Sequence, residues 1–83
     1  MGKLGCFSVK GLDLWFNSND HEPPHFHARK TGCWEVRISI LERQYTVKWA
    51  RTRVQKATLR SIFNLVEVYR AELLKEWEQK VDC

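Results

Sequence analysis

The chain has 83 residues, of which 43% are hydrophobic and 29% charged, and its formal net charge is +4. This length suits one small domain with a modest core, so we predict a single domain over residues 1–83. The moderate charge and the lack of low-complexity stretches argue against a disordered chain. No apolar run is long enough for a signal peptide or a membrane-spanning helix, so we expect no membrane association.

The cysteines and the charge distribution narrow the class further. Cys6, Cys33 and Cys83 are odd in number and widely spaced, which argues against a disulfide framework and favours a reducing, cytoplasmic location. Residues 1–53 hold nine Lys/Arg against five Asp/Glu, whereas residues 54–83 hold five of each. The excess of positive charge in the first part of the chain favours an anionic partner, either nucleic acid or an acidic protein.

The first half of the chain predicts short strands. An apolar alternation through Phe7 and Val9 resumes at Leu12, Leu14 and Phe16, which indicates a hairpin with Gly11 in its turn. A third strand is expected at about 25–29. The fourth is the clearest, with one apolar face formed by Trp34, Val36, Ile38 and Ile40. Tyr45, Val47 and Trp49 repeat that alternation in a fifth strand.

The last third of the chain has helical periodicity. Apolar residues recur at spacings of three and four, namely Leu59, Ile62, Phe63, Val66, Tyr69, Leu73 and Trp77. We predict one helix over about 54–80, and Thr52-Arg53-Val54-Gln55 before it resembles a capping box. Leu65, Val68 and Leu74 widen the stripe, which a homodimer contact through the helix, a partner protein or a loop would cover.

These elements predict an α+β fold. Four or five short antiparallel strands over about 6–49 would pack one face against a long C-terminal helix. Trp34, Trp49 and Trp77 are expected in the core. Trp15 is out of phase with Leu14 and Phe16, so it lies either on the wet face of the sheet, where it could stack on a base, or in the core.

The most unusual stretch is Asn19-Asp20-His21-Glu22-Pro23-Pro24-His25-Phe26-His27, which holds all three histidines and both prolines. The prolines predict a stiff, non-helical corner over 20–24. In the strand that follows, His25 and His27 share one face and Phe26 faces the core. A tight corner could fold His21 back toward the other two rings.

Three hypotheses explain the histidines. In the first they are structural, and His21 and His27 hold the corner through hydrogen bonds to the backbone. In the second His25 and His27 are a general acid–base pair that cleaves RNA, and His21 is a third candidate catalytic residue. Asp20 would orient one ring, and Arg29, Lys30, Arg51 or Arg53 would stabilise the phosphate. In the third His21, His25 and His27 bind zinc or another divalent metal, assisted by Asp20 or Glu22.

Basic residues cluster before and inside the start of the helix. Lys48, Arg51, Arg53, Lys56 and Arg60 fall within one short segment, where positive charge opposes the helix macrodipole. Backbone N–H groups at a helix start and nearby basic side chains can bind phosphate, so Arg29, Lys30, Arg51, Arg53 and Lys56 are candidate nucleic-acid ligands. The alternative is a solvated charged surface.

Asp20-His21-Glu22-Pro23-Pro24-His25-Phe26-His27 resembles the hallmark string of a small bacterial family, the domain of unknown function 4160 family. The family's helix ending is similar to Glu72-Leu73-Leu74-Lys75-Glu76-Trp77. The resemblance implies a toxin–antitoxin role, hence a small RNA-directed toxin with an acidic antitoxin-like partner and, in the enzyme hypothesis, ribonuclease activity. The alternative function is a non-catalytic regulatory module that binds metal or nucleic acid.

Overall fold

The computed structural model describes residues 2–17 and 23–80, which form an antiparallel sheet and two C-terminal helices. The predicted α+β class is confirmed. The sheet order is β1-β2-β3-β4-β5, so each strand pairs with its neighbour in sequence. The elements are β1 Gly2–Lys3, β2 Asp13–Phe16, β3 His25–Lys30, β4 Trp34–Ser39, β5 Tyr45–Ala50, α1 Lys56–Val68 and α2 Arg70–Lys80. No helix in this part of the chain combines the length and apolar character needed to span a membrane.

The core lies between one face of the sheet and the helices. The alternation in β4 buries Trp34, Val36 and Ile38, as predicted. β3 lies at the centre of the sheet and buries its first four residues, so both of its faces are covered there. The helices contribute Leu59, Ile62, Val66, Leu73 and Trp77. The helical stripe of the sequence therefore packs on the sheet as expected.

The predicted first strand is wrong. Residues 4–12 contain no strand, although Lys10-Gly11 does form the predicted turn, with Gly11 at φ 84° and a Leu12 N–H bond to the Val9 carbonyl. β2 pairs with β1 instead. The ring of Phe7 is turned to the interior, where it lies 6.2 Å from Phe26 and 5.6 Å from Tyr69. Its apolar character reflects this packing and not a place in the sheet.

A bulge changes the outer half of β5. Val36 pairs with Val47 and Glu35 pairs with Trp49, so Lys48 is an extra residue in β5. Residues that pair directly across two strands share a face, hence Trp49 turns to the face opposite Tyr45 and Val47. Trp49 is 40% exposed. Its predicted place in the core is therefore wrong, because the simple alternation does not survive the bulge.

The predicted single helix is interrupted at Tyr69. This residue ends α1 with φ −107° and ψ 19°, and α2 begins at the next residue. The Tyr69 N–H still bonds the Leu65 carbonyl, and the Leu73 N–H bonds the Tyr69 carbonyl. The interruption is thus local, and the buried residues of both helices belong to one core.

The N-terminal segment is fastened to α2 through Glu76. Its carboxylate accepts hydrogen bonds from the Gly5 N–H, the Cys6 thiol and Lys80, and Lys80 also bonds the Lys3 carbonyl. Burial raises the pKa of the Cys6 thiol to about 12, and the hydrogen bond and charge of Glu76 add to that shift. Burial also acts to raise the pKa of Glu76, but the bonds from Cys6, Gly5 and Lys80 outweigh it and hold that pKa below its ordinary value.

Candidate nucleic-acid interface and histidine array

Two hydrogen bonds to the carbonyls of Pro23 and Pro24 fix the double-proline corner before β3. His25 Nδ1 lies 2.8 Å from the Pro23 carbonyl oxygen, and the Ile40 N–H donates to the Pro24 carbonyl at 3.1 Å. A carbonyl oxygen only accepts, so the His25 ring carries its proton on Nδ1 and donates it. The ring of His25 thus holds the corner, a role that the structural hypothesis gave to His21 and His27, while Phe26 points into the core and is fully buried.

The second ring is held by a short side-chain relay from β2. The Trp15 indole N–H donates to Asn17 Oδ1 at 2.9 Å, which fixes the orientation of the Asn17 amide. The Asn17 amide nitrogen then lies 3.1 Å from His27 Nε2 and donates to it. The ring of Trp15 also stacks on His27, with centroids 5.3 Å apart and an angle of 22° between the planes. Trp15 pairs with His27 across the strands, so it lies on the face away from the core.

Together these side chains form what we call the histidine array, made of Trp15, Asn17, His25, His27 and Trp77. The two imidazoles lie 5.4 Å apart, and His25 lies 5.3 Å from Trp77 of α2. His25 is only 4% exposed and His27 only 3%. The two tryptophans and the corner therefore cover both imidazole rings.

Catalysis and metal binding make different demands on this array. A general acid–base pair must reach its substrate, whereas these rings are buried. A recess of about 70 Å³ lies beside His25 and is also lined by Arg37 and Ser39. Since water occupies about 30 Å³ in the liquid, this space suits solvent and not a nucleotide. Asp20, His21 and Glu22 lie outside the described residues, and within those residues no three His, Cys, Asp or Glu are grouped to hold a metal ion.

A separate groove of about 900 Å³ opens at the other end of β3. Three connections build it: the Lys10-Gly11 turn, the turn after β3, and the link from β5 to α1. The N–H groups of Arg51 and Thr52 both bond the Cys33 carbonyl, at 2.7 and 3.2 Å, which ties the third connection to the second. The first turns of α1 complete the wall through Lys56, Ala57, Thr58 and Ser61.

The groove is strongly positive. Its described lining includes four basic side chains and no acidic one, and the basic residues are Lys10, Lys30, Arg53 and Lys56. Gln55, the N-cap of α1, makes no side-chain capping bond, and the first helical turn contains no acidic residue. The predicted capping box is therefore wrong. Uncapped backbone N–H groups and the helix macrodipole add to the positive potential of the lysines and arginine. We call this site the cationic groove.

The structure brings together three of the five predicted nucleic-acid residues and separates the other two from them. Lys30, Arg53 and Lys56 line the cationic groove together. Arg29 lies elsewhere: its guanidinium is 5.2 Å from the Trp15 ring centre and bonds Asp13 at 3.1 Å. Arg51 is exposed but does not line the groove. His27 and Lys30 are three residues apart on β3, hence about 10 Å apart along the strand and on opposite faces.

Two contributors were missed in the sequence. Lys10 lines the groove although it is distant in the chain from the other basic residues. In the sequence, its position beside a turn glycine indicated only that it lies at the surface. Asn17 belonged to a run of turn residues, so its amide was not expected to link Trp15 with His27. The sequence does not show which residues these two side chains meet, because that depends on how strands and turns are arranged in space.

Comparison with protein families matches residues 11–78 to the family described as Domain of unknown function (DUF4160). The matched region contains the histidine segment, the sheet from β2 to β5, all of α1 and most of α2. No curated protein and no solved structure matches the chain.

Proposed function

Because this chain belongs to the family described as Domain of unknown function (DUF4160), whose description assigns no activity, we propose a function from the geometry: the protein is a regulatory module that binds RNA through the cationic groove. The observation that carries the proposal is the convergence of four basic side chains and an uncapped helix start in a groove with no acidic residue in its described lining. RNA is the anion proposed because its phosphates repeat along the chain and can meet several such groups at once.

The size of the groove favours a polymer segment over a single phosphate ion. Its volume of about 900 Å³ falls within the range of pockets that enclose drug-sized ligands, about 300–1,000 Å³. Backbone N–H groups at the start of α1 would bind one phosphate, and the four basic side chains would bind its neighbours along the strand. These are contacts to the backbone of the nucleic acid, so we expect weak dependence on base sequence.

In this proposal the histidine array is structural. His25 secures the proline corner and His27 is fixed by Trp15 and Asn17, which together set the start of β3. Lys30 is at the far end of the same strand. The array therefore supports the element that carries part of the groove, without contacting bound RNA.

A toxin-like ribonuclease is the second candidate function. It is favoured by the recess beside His25, where Arg37 supplies a cation near an imidazole. For this chemistry the recess would have to widen to admit a phosphodiester, with His25 and His27 as acid and base and Arg37 stabilising the negative charge. An acidic antitoxin-like protein as the regulator belongs to this candidate.

Binding of labelled single-stranded RNA, measured by fluorescence anisotropy at low salt, tests the primary proposal. We expect the double variant Lys30→Glu/Lys56→Glu to bind at least about tenfold more weakly than wild type. Arg70→Glu/Lys75→Glu on α2 changes the net charge equally and serves as the matched control, since both residues are exposed outside the groove. Equal losses in both variants would mean that net charge alone governs binding, which contradicts a groove-specific site.

Incubation of the same RNA with the protein separates the two candidates. Intact RNA in the presence of wild-type protein supports a binding module. Cleavage that is lost in folded His25→Ala and His27→Ala variants but persists in Lys75→Glu would instead support the ribonuclease.

A further inference from the structure

The outer edge of β5 is a second candidate binding surface, because no other strand of the sheet pairs with it. β5 is the last strand of the sheet and has six residues, all of them exposed. An edge strand presents unpaired backbone N–H and C=O groups that another extended chain can pair with. The opposite edge, β1, is only two residues long and offers much less.

Apolar side chains accompany this free backbone. Tyr45 is 47% exposed and Val47 44%, although both lie on the core side of the sheet by their pairing with Ile38 and Val36. Tyr45 lies 6.5 Å from Phe63 of α1, and Arg43 forms an ion pair with Glu67 of the same helix. The exposed side chains of Tyr45 and Val47 therefore lie beside α1 at the edge of the sheet. An added strand would cover them with every second side chain.

Charge identifies the kind of strand that fits. Residues 41–53 contain four basic residues and one acidic residue: Arg43, Lys48, Arg51 and Arg53 against Glu42. Among the described residues, no ion pair involves Lys48, Arg51 or Arg53. A second copy paired antiparallel about the middle of β5 would bring Lys48 close to its own counterpart, and like charges across strands are destabilising. A strand with acidic side chains would instead be attracted to Lys48, which stabilises the pairing.

We propose that the β5 edge is a docking site for an extended acidic segment of a protein partner, which adds a sixth strand to the sheet. Its backbone pairs with β5, its apolar side chains cover Tyr45 and Val47, and its carboxylates face Lys48 and Arg51. This inference does not rest on RNA binding, because the edge and the cationic groove use different residues apart from Arg53.

A short labelled peptide of alternating valine and glutamate is the probe, with an alternating valine–lysine peptide as its control. We expect only the acidic peptide to bind, and we expect it to slow amide hydrogen exchange in β5. Lys48→Glu should weaken binding by about two- to fivefold, the range of an exposed ion pair, while Lys75→Glu should leave it unchanged. Val47→Glu gives a second variant on the apolar side, for which we also expect weaker binding.

Three results would overturn the proposal. One is equal binding of the acidic and basic peptides. Another is binding that does not slow hydrogen exchange at any β5 amide. The same holds if binding is lost in Lys30→Glu/Lys56→Glu and kept in Lys48→Glu, because the peptide would then occupy the cationic groove. A third is a stable dimer of the free protein that protects the β5 amides, which would make a second copy the occupant.

Discussion

At the scale of single residues, the histidines are best understood through what they touch. His25 donates to the carbonyl of a proline and His27 accepts from an asparagine, and each ring lies against a tryptophan. The pairing of His25 with His27 on one face, and of Phe26 with the core, followed from strand periodicity alone. Their burial did not, because Trp15 and Trp77 reach them from β2 and α2.

The structural role of His27 predicts a specific pattern of loss. His27→Ala removes a buried ring that stacks on Trp15, so we expect the free energy of unfolding in urea to fall by about 2–4 kcal/mol. Asn17→Ala removes one hydrogen bond and should cost about 1 kcal/mol. Folded His27→Ala should keep the RNA affinity of wild type. If His27→Ala kept the stability of wild type but lost RNA binding or RNA cleavage, that result would contradict the structural role.

Glu76 predicts the response of stability to acid. Its folded-state pKa is below the ordinary value, so the unfolded chain binds more protons in this range. The stability from its contacts with Gly5, Cys6 and Lys80 is therefore present above the unfolded pKa and is lost as pH falls through the lower folded value. In urea unfolding from neutral to acidic pH, Glu76→Gln should show a smaller decrease in stability than wild type. Parallel pH profiles would contradict this assignment.

At the scale of elements, the sequence predicted which long segments are strands and which are helical. It did not predict the bulge in β5 or the break between the two helices. Period-two alternation located β4, and apolar residues at spacings of three and four located the helical region. The β5 bulge turned Trp49 to the other face, and Tyr69 divided the helix. Both details depend on neighbouring elements: the bulge exists only relative to β4, and the ring of Tyr69 packs on Phe7.

The start of α1 predicts opposite effects on stability and binding. Gln55→Asp supplies the missing side-chain cap and a negative charge near the helix dipole, so thermal or urea unfolding should show a gain of about 1 kcal/mol. The same charge lies in the cationic groove, so RNA binding should weaken. Gln55→Ser is the uncharged comparison: it also caps one N–H group and should stabilise the helix, but it should weaken RNA binding less than Gln55→Asp because it adds no negative charge. Tighter RNA binding by Gln55→Asp would contradict the position of the phosphate site.

At the scale of the whole molecule, the cationic groove is a product of topology. The sequence indicated Lys30, Arg53 and Lys56 as basic ligands, but it could not bring Lys10 to them or separate Arg29 from them. Those outcomes depend on the antiparallel order of the sheet, which places alternate connections at the same end. The same order places the histidine array toward the opposite end of β3. The proposed RNA site and the histidine array thereby lie at opposite ends of one strand.

The salt dependence of RNA affinity tests the central claim most directly. Each phosphate neutralised on a single strand contributes about −0.7 to the slope of log K against log salt concentration, so four basic groups predict a slope of about −3. Removing one groove cation with Lys30→Gln should make the slope shallower by about 0.7, while Lys75→Gln leaves it unchanged. A slope near zero in wild type, or equal slopes in wild type and Lys30→Gln, would contradict RNA binding in the cationic groove.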